Sequence, residues 1–341
     1  MRIGLVGCGR ISKNHFESIK HCSADLELTA VCDIISERAE TAAKTYGGAA
    51  YTDLTEMLKK ESLDLVSVCT PSGLHPEHGI LAAEAGSHVL VEKPMSIDLA
   101  GADRLIEACD RNGVQLFVVK QNRLNTTLQL LKKAVEKGRF GRIYMVQSNV
   151  FWTRPQEYYA QAPWRGTWAL DGGAFLNQAS HYVDAVQWLI GEVDSVMATT
   201  ATLARDIEAE DTGAALLTFK NGVMGTINVT MLTYPKNFEG SITILGEKGT
   251  AKIGGVAVNK VEKWEFEDYD DDDRMLEAVN YQPPNVYGFG HIPYYENVVA
   301  SLLDKSTKPF TDGRGGRKSV ELVMAIYESA RSGQRVTLPL T

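Results

Sequence analysis

Gly7-Cys8-Gly9-Arg10-Ile11-Ser12, directly behind a short apolar run, has the order by which backbone takes hold of a dinucleotide. The first glycine of such a loop makes the tight turn. The second lets the chain approach a pyrophosphate seated on a helix N-terminus. Ser12 stands where a third glycine is usual, so the loop alone is a weak signal, and Asp33 strengthens it. Asp33 ends the second apolar run, where a carboxylate receives the hydroxyls of an adenosine ribose and repels a 2′-phosphate. Ile34 and Ile35 bring no positive charge for that phosphate, so NAD rather than NADP is the expected cofactor. Lys93, in Glu92-Lys93-Pro94, follows another such run at the carboxyl edge where open α/β sheets bind ligands. Burial beside a positive nicotinamide lowers an ammonium pKa. Such a lysine can donate a hydrogen bond to the reacting oxygen, stabilise an alkoxide or share its proton.

The elements that must position these residues are legible as periodicity. Arg2–Val6, Leu28–Cys32, Leu65–Cys69, His88–Val91 and Leu116–Val119 are predicted strands. Ile11–Lys20, Ser36–Tyr46, Pro76–Ala85 and Asp98–Arg111 are predicted helices, with caps expected at Ser36-Glu37-Arg38 and Ser96-Ile97-Asp98. Strand and helix alternating this way imply a parallel Rossmann sheet over residues 1–120. Beyond it, Thr126–Glu136 and Gly173–Ile190 are predicted helices and Ile143–Trp152 a strand. Val193–Leu203, Thr212–Phe219, Val223–Met231, Gly240–Leu245 and Thr250–Ile253 alternate like strands. Turns are expected at Lys220-Asn221-Gly222 and Gly246-Glu247-Lys248-Gly249. Residues 121–341 are therefore expected to form an α+β domain, a largely antiparallel open sheet with helices on one face. Helices over His291–Leu303 and Arg314–Arg331 close the chain, the last free to pack back on the first domain.

Composition narrows the function. The chain has 341 residues, a net charge of −8 and no basic stripe, which argues against nucleic acid as the partner. Five cysteines, an odd number without metal-ligand spacing, are expected as reduced thiols, and no metal site is expected. The acidic stretch Asp268–Asp273 is expected as an exposed loop. No apolar run approaches the roughly 18 residues of a membrane span, and no leader pattern precedes the first strand. A cytoplasmic protein is expected.

The string Cys69-Thr70-Pro71-Ser72-Gly73-Leu74-His75, the Glu92-Lys93-Pro94 triplet and the glycine loop together resemble one family. It is that of glucose–fructose oxidoreductase, inositol dehydrogenase and the rhizopine-catabolism dehydrogenases. The ending, Asp312-Gly313-Arg314 through Val336-Thr337-Leu338-Pro339, is similar to that family's as well. The resemblance implies a Rossmann domain whose nicotinamide faces a sheet domain, and assembly into dimers or tetramers through the open sheet face. It implies that Gly7, Gly9, Arg10, Ile11, Asp33, Thr70, Pro71, His75, Glu92, Lys93 and Gln121 line the cofactor, with Trp164 and Arg165.

A second family motif ends in His181, but its usual aspartate is here Asn177. Four residues apart, the two would share a helix face. Asn177 brings no charge, yet can still orient a hydroxyl. Alcohol oxidation needs a base, and an imidazole titrating near pH 6.5 suits His181 to that part. Whether His181 or Lys93 takes the proton stays open. Longer strings are similar to the branch that oxidises UDP-N-acetyl-glucosaminuronic acid at C3, toward the diacetylated mannuronic acid of bacterial surface polysaccharide. They are Val118–Arg123, Phe151–Tyr159, Trp164–Trp168, Met231–Asn237 and Val286–His291. That likeness implies a 2-oxo acid such as 2-oxoglutarate as the recycling oxidant.

A uronate nucleotide carries a carboxylate and a diphosphate, which an acidic protein must meet with local cations. Lys120, Arg123, Arg154, Arg165 and Lys236 stand in these strings. Tyr158, Tyr159, Trp164 and Tyr234 suit sugar or base, and suit core packing equally. Three rivals stay open: a polyol dehydrogenase of the same family, a glycosidase using resident NAD, and a nucleotide-sensing regulator, against which Lys93 and His181 both argue.

Overall fold

The computed structural model describes residues 1–282 and 288–340; Val286 and Tyr287 of the last family string lie outside them. The chain divides into two compact units, Met1–Lys120 with His291–Val320, and Gln121–Gly290 with the chain from Glu321 on.

The first unit holds strands β1 (Arg2–Val6), β2 (Glu27–Cys32), β3 (Ala49–Tyr51), β4 (Leu65–Val68), β5 (His88–Val91) and β6 (Leu116–Val118). They pair in the order β3-β2-β1-β4-β5-β6, every pair parallel. Ile3, Leu5, Val66, Val68, Val89 and Val91 are wholly buried, the signature of a sheet covered on both faces. Helices α1 (Ser12–His21), α2 (Ser36–Tyr46), α3 (Leu54–Lys60), α4 (His75–Glu84) and α5 (Leu99–Arg111) alternate with the strands. β3 and α3 were not expected. Of the two predicted caps, Asp98 accepts from the Gly101 N–H, but Ser36 is already helical and its hydroxyl turns to Glu40.

The second unit holds α6 (Thr126–Glu136), β7 (Ile143–Phe151), α7 (Gln156–Ala160), α8 (Ser180–Ile190), β8 (Val193–Ala201), β9 (Thr212–Phe219), β10 (Met224–Thr230), β11 (Glu239–Gly246), β12 (Gly249–Gly254) and β13 (Lys260–Phe266). With β14 (Val336–Thr337) they order β13-β12-β11-β7-β10-β9-β8-β14, antiparallel except for β10 beside β7. Both predicted hairpins form. In β9, Gly213, Ala215, Leu217 and Phe219 are buried while Ala214 and Leu216 are exposed, so one face packs and the other is open. On the open face, Met145 lies beside both Met224 and Leu245, and Leu216 beside Met197. These five apolar side chains are exposed.

One expectation fails here. Gly173–Ile190 is not one helix: α8 begins at Ser180. Gly172 has φ +75°, and a Cβ on Gly173 would fall on a carboxylate oxygen of Glu210. The Ala174 and Phe175 N–H groups donate to Glu210, at its carbonyl and side chain respectively. Asn177 therefore sits in the turn before α8 and shares no helix face with His181. The acidic stretch is an exposed loop in part, with Asp268, Tyr269 and Asp271 exposed, and is otherwise tied down. Asp270 caps a short 3₁₀ turn, Asp270 and Asp272 receive Lys137, and Asp273 receives Arg139 and Trp264.

After these come α9 (His291–Leu303) and α10 (Gly313–Ser332), and α10 runs from the first unit into the second. The Tyr294 hydroxyl on α9 donates to the Val118 carbonyl at the end of β6. Among the described residues no helix is long and apolar enough to cross a membrane.

Candidate active-site residues

At the glycine loop the structure gives each glycine a separate reason. Gly7 has φ +94°, its N–H donates to the Cys32 carbonyl at 2.8 Å, and a Cβ there would lie 2.6 Å from the Cys69 carbonyl carbon. Around Gly9 nothing among the described residues lies within 4 Å of such a Cβ, which leaves the approach that a pyrophosphate needs. Ser12 is buried, and its hydroxyl donates to the Gly9 carbonyl at 2.7 Å, closing the turn where a third glycine is usual. Arg10 is exposed and Ile11 half-exposed. Asp33 is buried, and its two oxygens accept from the Cys8 and Ile35 N–H groups, both at 2.9 Å. A carboxylate offers about four acceptor positions, so ribose hydroxyls can still be received. These residues fit a dinucleotide.

Behind the sheet's carboxyl edge, His75 ties two loops together. Its ring nitrogens meet the carbonyls of Thr70 and Pro94, each at 2.7 Å, joining the Thr70-Pro71 loop to the one that carries Lys93. Burial pulls the His75 pKa down, against the pull of both carbonyls. The Thr70 hydroxyl meets His78.

Lys93 itself is half-exposed, and its backbone N–H donates to Glu92 Oε2 at 3.0 Å. The other Glu92 oxygen meets His15 Nε2 at 3.0 Å and His291 Nε2 at 3.2 Å. Burial pushes the Glu92 carboxyl up, but the two imidazoles override it and hold it well below the carboxylate range. His15 Nδ1 meets the hydroxyls of Tyr295 and Ser67. His15, Glu92 and His291 bring three possible metal ligands together, and their mutual hydrogen bonds account for the same closeness. The structure thus turns Glu92 into the unit's interior. Lys120, 2% exposed, is likewise interior and donates to the Ser319 hydroxyl at 2.6 Å.

In the second unit, His181 is buried in the first turn of α8, with its Nε2 3.0 Å from the amide nitrogen of buried Gln121. Asn177 Nδ2 donates to Asp171 Oδ1, and Asp171 Oδ2 accepts from the Gly166 N–H at 2.7 Å. Buried Glu210 accepts from the Phe175 N–H and the Tyr327 hydroxyl, while its Oε2 has no partner among the described residues. Desolvation raises its pKa to about 7.

Of the expected substrate cations, two come together. The Arg154 guanidinium lies 5.3 Å from the Tyr158 ring, and that of Arg165 lies 4.3 Å from the same ring and 4.7 Å from Trp164. Arg165 also donates to the Tyr158 hydroxyl. Arg123 instead makes a two-pronged pair with buried Asp184, at 2.7 and 2.8 Å. Tyr159 is buried, whereas Tyr234 is 95% exposed and Lys236 is exposed beside it on the loop after β10. Sequence reasoning missed His15, His291, Asp171 and Glu210, since each takes its role from a partner brought close by folding.

Comparison with known proteins sets these residues in a family. Residues 1–120 match the oxidoreductase family's NAD-binding Rossmann fold, and residues 132–338 its C-terminal alpha/beta domain. Among solved structures, the chain is 56% identical to the WlbA dehydrogenase of Bordetella pertussis, in complex with NADH and UDP-GlcNAcA. All of this chain and 98% of that one are covered, with a TM-score of 0.97. It is 53% identical to the WlbA dehydrogenase of Chromobacterium violaceum, in complex with the same two ligands, over 100% and 96% of the chains, with a TM-score of 0.95. It is also 32% identical to a myo-inositol 2-dehydrogenase of Thermotoga maritima, over 73% of this chain and 74% of that protein. The resemblance carried by the glycine loop and the Glu92-Lys93-Pro94 triplet is borne out: the chain belongs to the glucose–fructose oxidoreductase, inositol dehydrogenase and rhizopine-catabolism family of NAD-binding oxidoreductases.

Proposed function

We propose that this chain is an NAD-dependent dehydrogenase that oxidises the C3 hydroxyl of UDP-N-acetyl-glucosaminuronic acid to the 3-keto sugar, in bacterial surface-polysaccharide biosynthesis. The observation that carries the reading is the full-length likeness, 56% identical, to a dehydrogenase solved with NADH and UDP-GlcNAcA. NAD supplies the hydride acceptor when bound, held by Gly7, Gly9 and Asp33. In this reading His181 takes the hydroxyl proton and the Lys93 ammonium stabilises the developing alkoxide. Arg154 and Arg165, both beside the Tyr158 ring, offer planar forks to the carboxylate and diphosphate that a plain polyol lacks. The apolar open face of the second unit's sheet suits a second copy of this chain, which supports a homo-oligomer. A 2-oxo acid such as 2-oxoglutarate would recycle the reduced cofactor, and the setting would be cytoplasmic.

The test is reduction of enzyme-bound NAD, followed by the absorbance of the reduced nicotinamide. UDP-N-acetyl-glucosaminuronic acid is expected to reduce it, and free inositol or glucose is not. Equal reduction by UDP-N-acetylglucosamine, which lacks the carboxylate, would overturn the uronate reading.

A further inference from the structure

The family's usual aspartate is Asn177 in this chain, and the structure sets its amide against a buried carboxylate. Asn177 Nδ2 donates to Asp171 Oδ1, while the second oxygen of Asp171 is taken by the Gly166 N–H. Asp171 is 1% exposed, so water does not replace these partners. A side-chain amide has one donating edge and one accepting edge, and an ionised carboxylate accepts only. A carboxylate at its back therefore admits the amide in a single orientation, nitrogen inward and carbonyl oxygen turned away.

We propose that Asp171 is a positioning residue that fixes Asn177 as a hydrogen-bond acceptor for a sugar hydroxyl beside the reacting carbon. The inference rests on the dehydrogenase reading for the identity of that hydroxyl, and on geometry alone for the orientation. It also accounts for the amide at 177. An acid there would put two carboxyl groups in hydrogen-bond contact, which cannot both ionise and must share one proton.

Donor and acceptor logic assigns each substitution a different outcome. In Asp171→Asn, the new amide must turn its oxygen to the Gly166 N–H, so its nitrogen faces position 177. Asn177 then flips to accept it and shows its own NH₂ group to the sugar. In Asn177→Asp, the acid pair has to hold a shared proton. In the exchanged pair, Asp171→Asn with Asn177→Asp, the amide at 171 donates to the carboxylate at 177. An oxygen points outward again and no proton is shared.

The experiment uses the full-length NAD-loaded protein and two readouts. For UDP-N-acetyl-glucosaminuronic acid, Asp171→Asn is expected to raise KM on the order of tenfold, the size of one misdirected polar contact, and the exchanged pair to recover most of it. Without substrate, melting is followed against pH. The folded-state pKa of the shared-proton pair lies above that of an unfolded carboxyl. Its stability is thus present at acid pH and lost as pH rises through the folded value. Asn177→Asp should therefore lose melting temperature with rising pH relative to the unaltered protein, and the exchanged pair should not. Insolubility of Asn177→Asp alone, with a soluble exchanged pair, supports the same coupling. Parallel melting profiles for Asn177→Asp and the unaltered protein overturn the proposal, as does an equal KM in Asp171→Asn and the exchanged pair. An unaltered protein that leaves the UDP-uronate untouched overturns the substrate reading alone, since the melting series needs no substrate.

Discussion

The glycine loop of the first unit and the Gly166–His181 stretch of the second both hold candidate site residues largely outside helix and strand, and they hold them differently. Around Gly7 the constraint is shape: a positive φ and a carbonyl carbon 2.6 Å from any Cβ. Around Asn177 and His181 the constraint is chemical. Two buried carboxyl groups, Asp171 and Glu210, take backbone N–H groups of this stretch. A loop built on shape is indifferent to pH, whereas a loop built on carboxyls inherits their titration.

The largest effects are expected at the two proposed reacting groups, His181 and Lys93. His181→Ala and Lys93→Ala should each lower kcat on the order of 10²-fold or more, as loss of a general base or of an oxygen-stabilising charge does. The double variant should lose less than the product of the two, because residues acting on one proton are not additive. Near-full turnover in His181→Ala would break the assignment. Next in size is a pair of glycine substitutions that separates shape from ligand space. Gly7→Ala should melt well below the unaltered protein and fail to retain NAD. Gly9→Ala, with nothing among the described residues within 4 Å, should melt normally without cofactor yet bind NAD at least about tenfold more weakly, a ~1.4 kcal/mol effect. Equal melting of the two variants would refute the distinction.

The smallest effect sharpens the comparison most. Desolvation raises the Glu210 pKa to about 7, so its contribution to stability is present at acid pH and fades as pH rises through that value. Glutamine has no such proton to lose. Glu210→Gln should therefore gain melting temperature relative to the unaltered protein as pH rises from about 4.5 to about 7, and keep that gain above it. The Gly7→Ala deficit should stay the same across that range. A pH-independent difference for Glu210→Gln would place the Gly172–Asn177 turn under steric control as well.

What could be read in the sequence follows how locally each feature is determined. β1, β5, β9, α2, α6 and α9 have the predicted bounds because their own residues carry an apolar run or a 3.6-residue period with clear stops. β3 and β13 escaped because they are short or charge-rich edge strands. Lys260–Phe266 alternates charge with apolar residues, and only its pairing with β12 makes it a strand. α3 did leave a signal, the Asp53-to-Glu56 spacing of a cap, which the structure uses. The long predicted helix over Gly173–Ile190 overran α8, and the contacts that hold its first residues come from Glu210, far along the chain. Within the site, Gly7, Gly9, Asp33, Lys93 and His181 stand in local motifs. Asp171 has no such mark, because its role exists only once Gly166 and Asn177 lie against it.

The knot at Glu92 has a consequence for how this polypeptide can be recombined. His15 from α1, Glu92 from the end of β5 and His291 from α9 meet on one oxygen, with Tyr295 sealing the far side of His15. A cut after Lys120, where sequence texture invites one, removes His291 and Tyr295 and strips a buried carboxylate of a donor, at a cost of roughly 1–3 kcal/mol. A cofactor module transplanted from this chain must bring residues 291–320 as a second piece. Chimeras with a relative thus need two crossovers, where a linear map suggests one, if this knot is to keep its own partners.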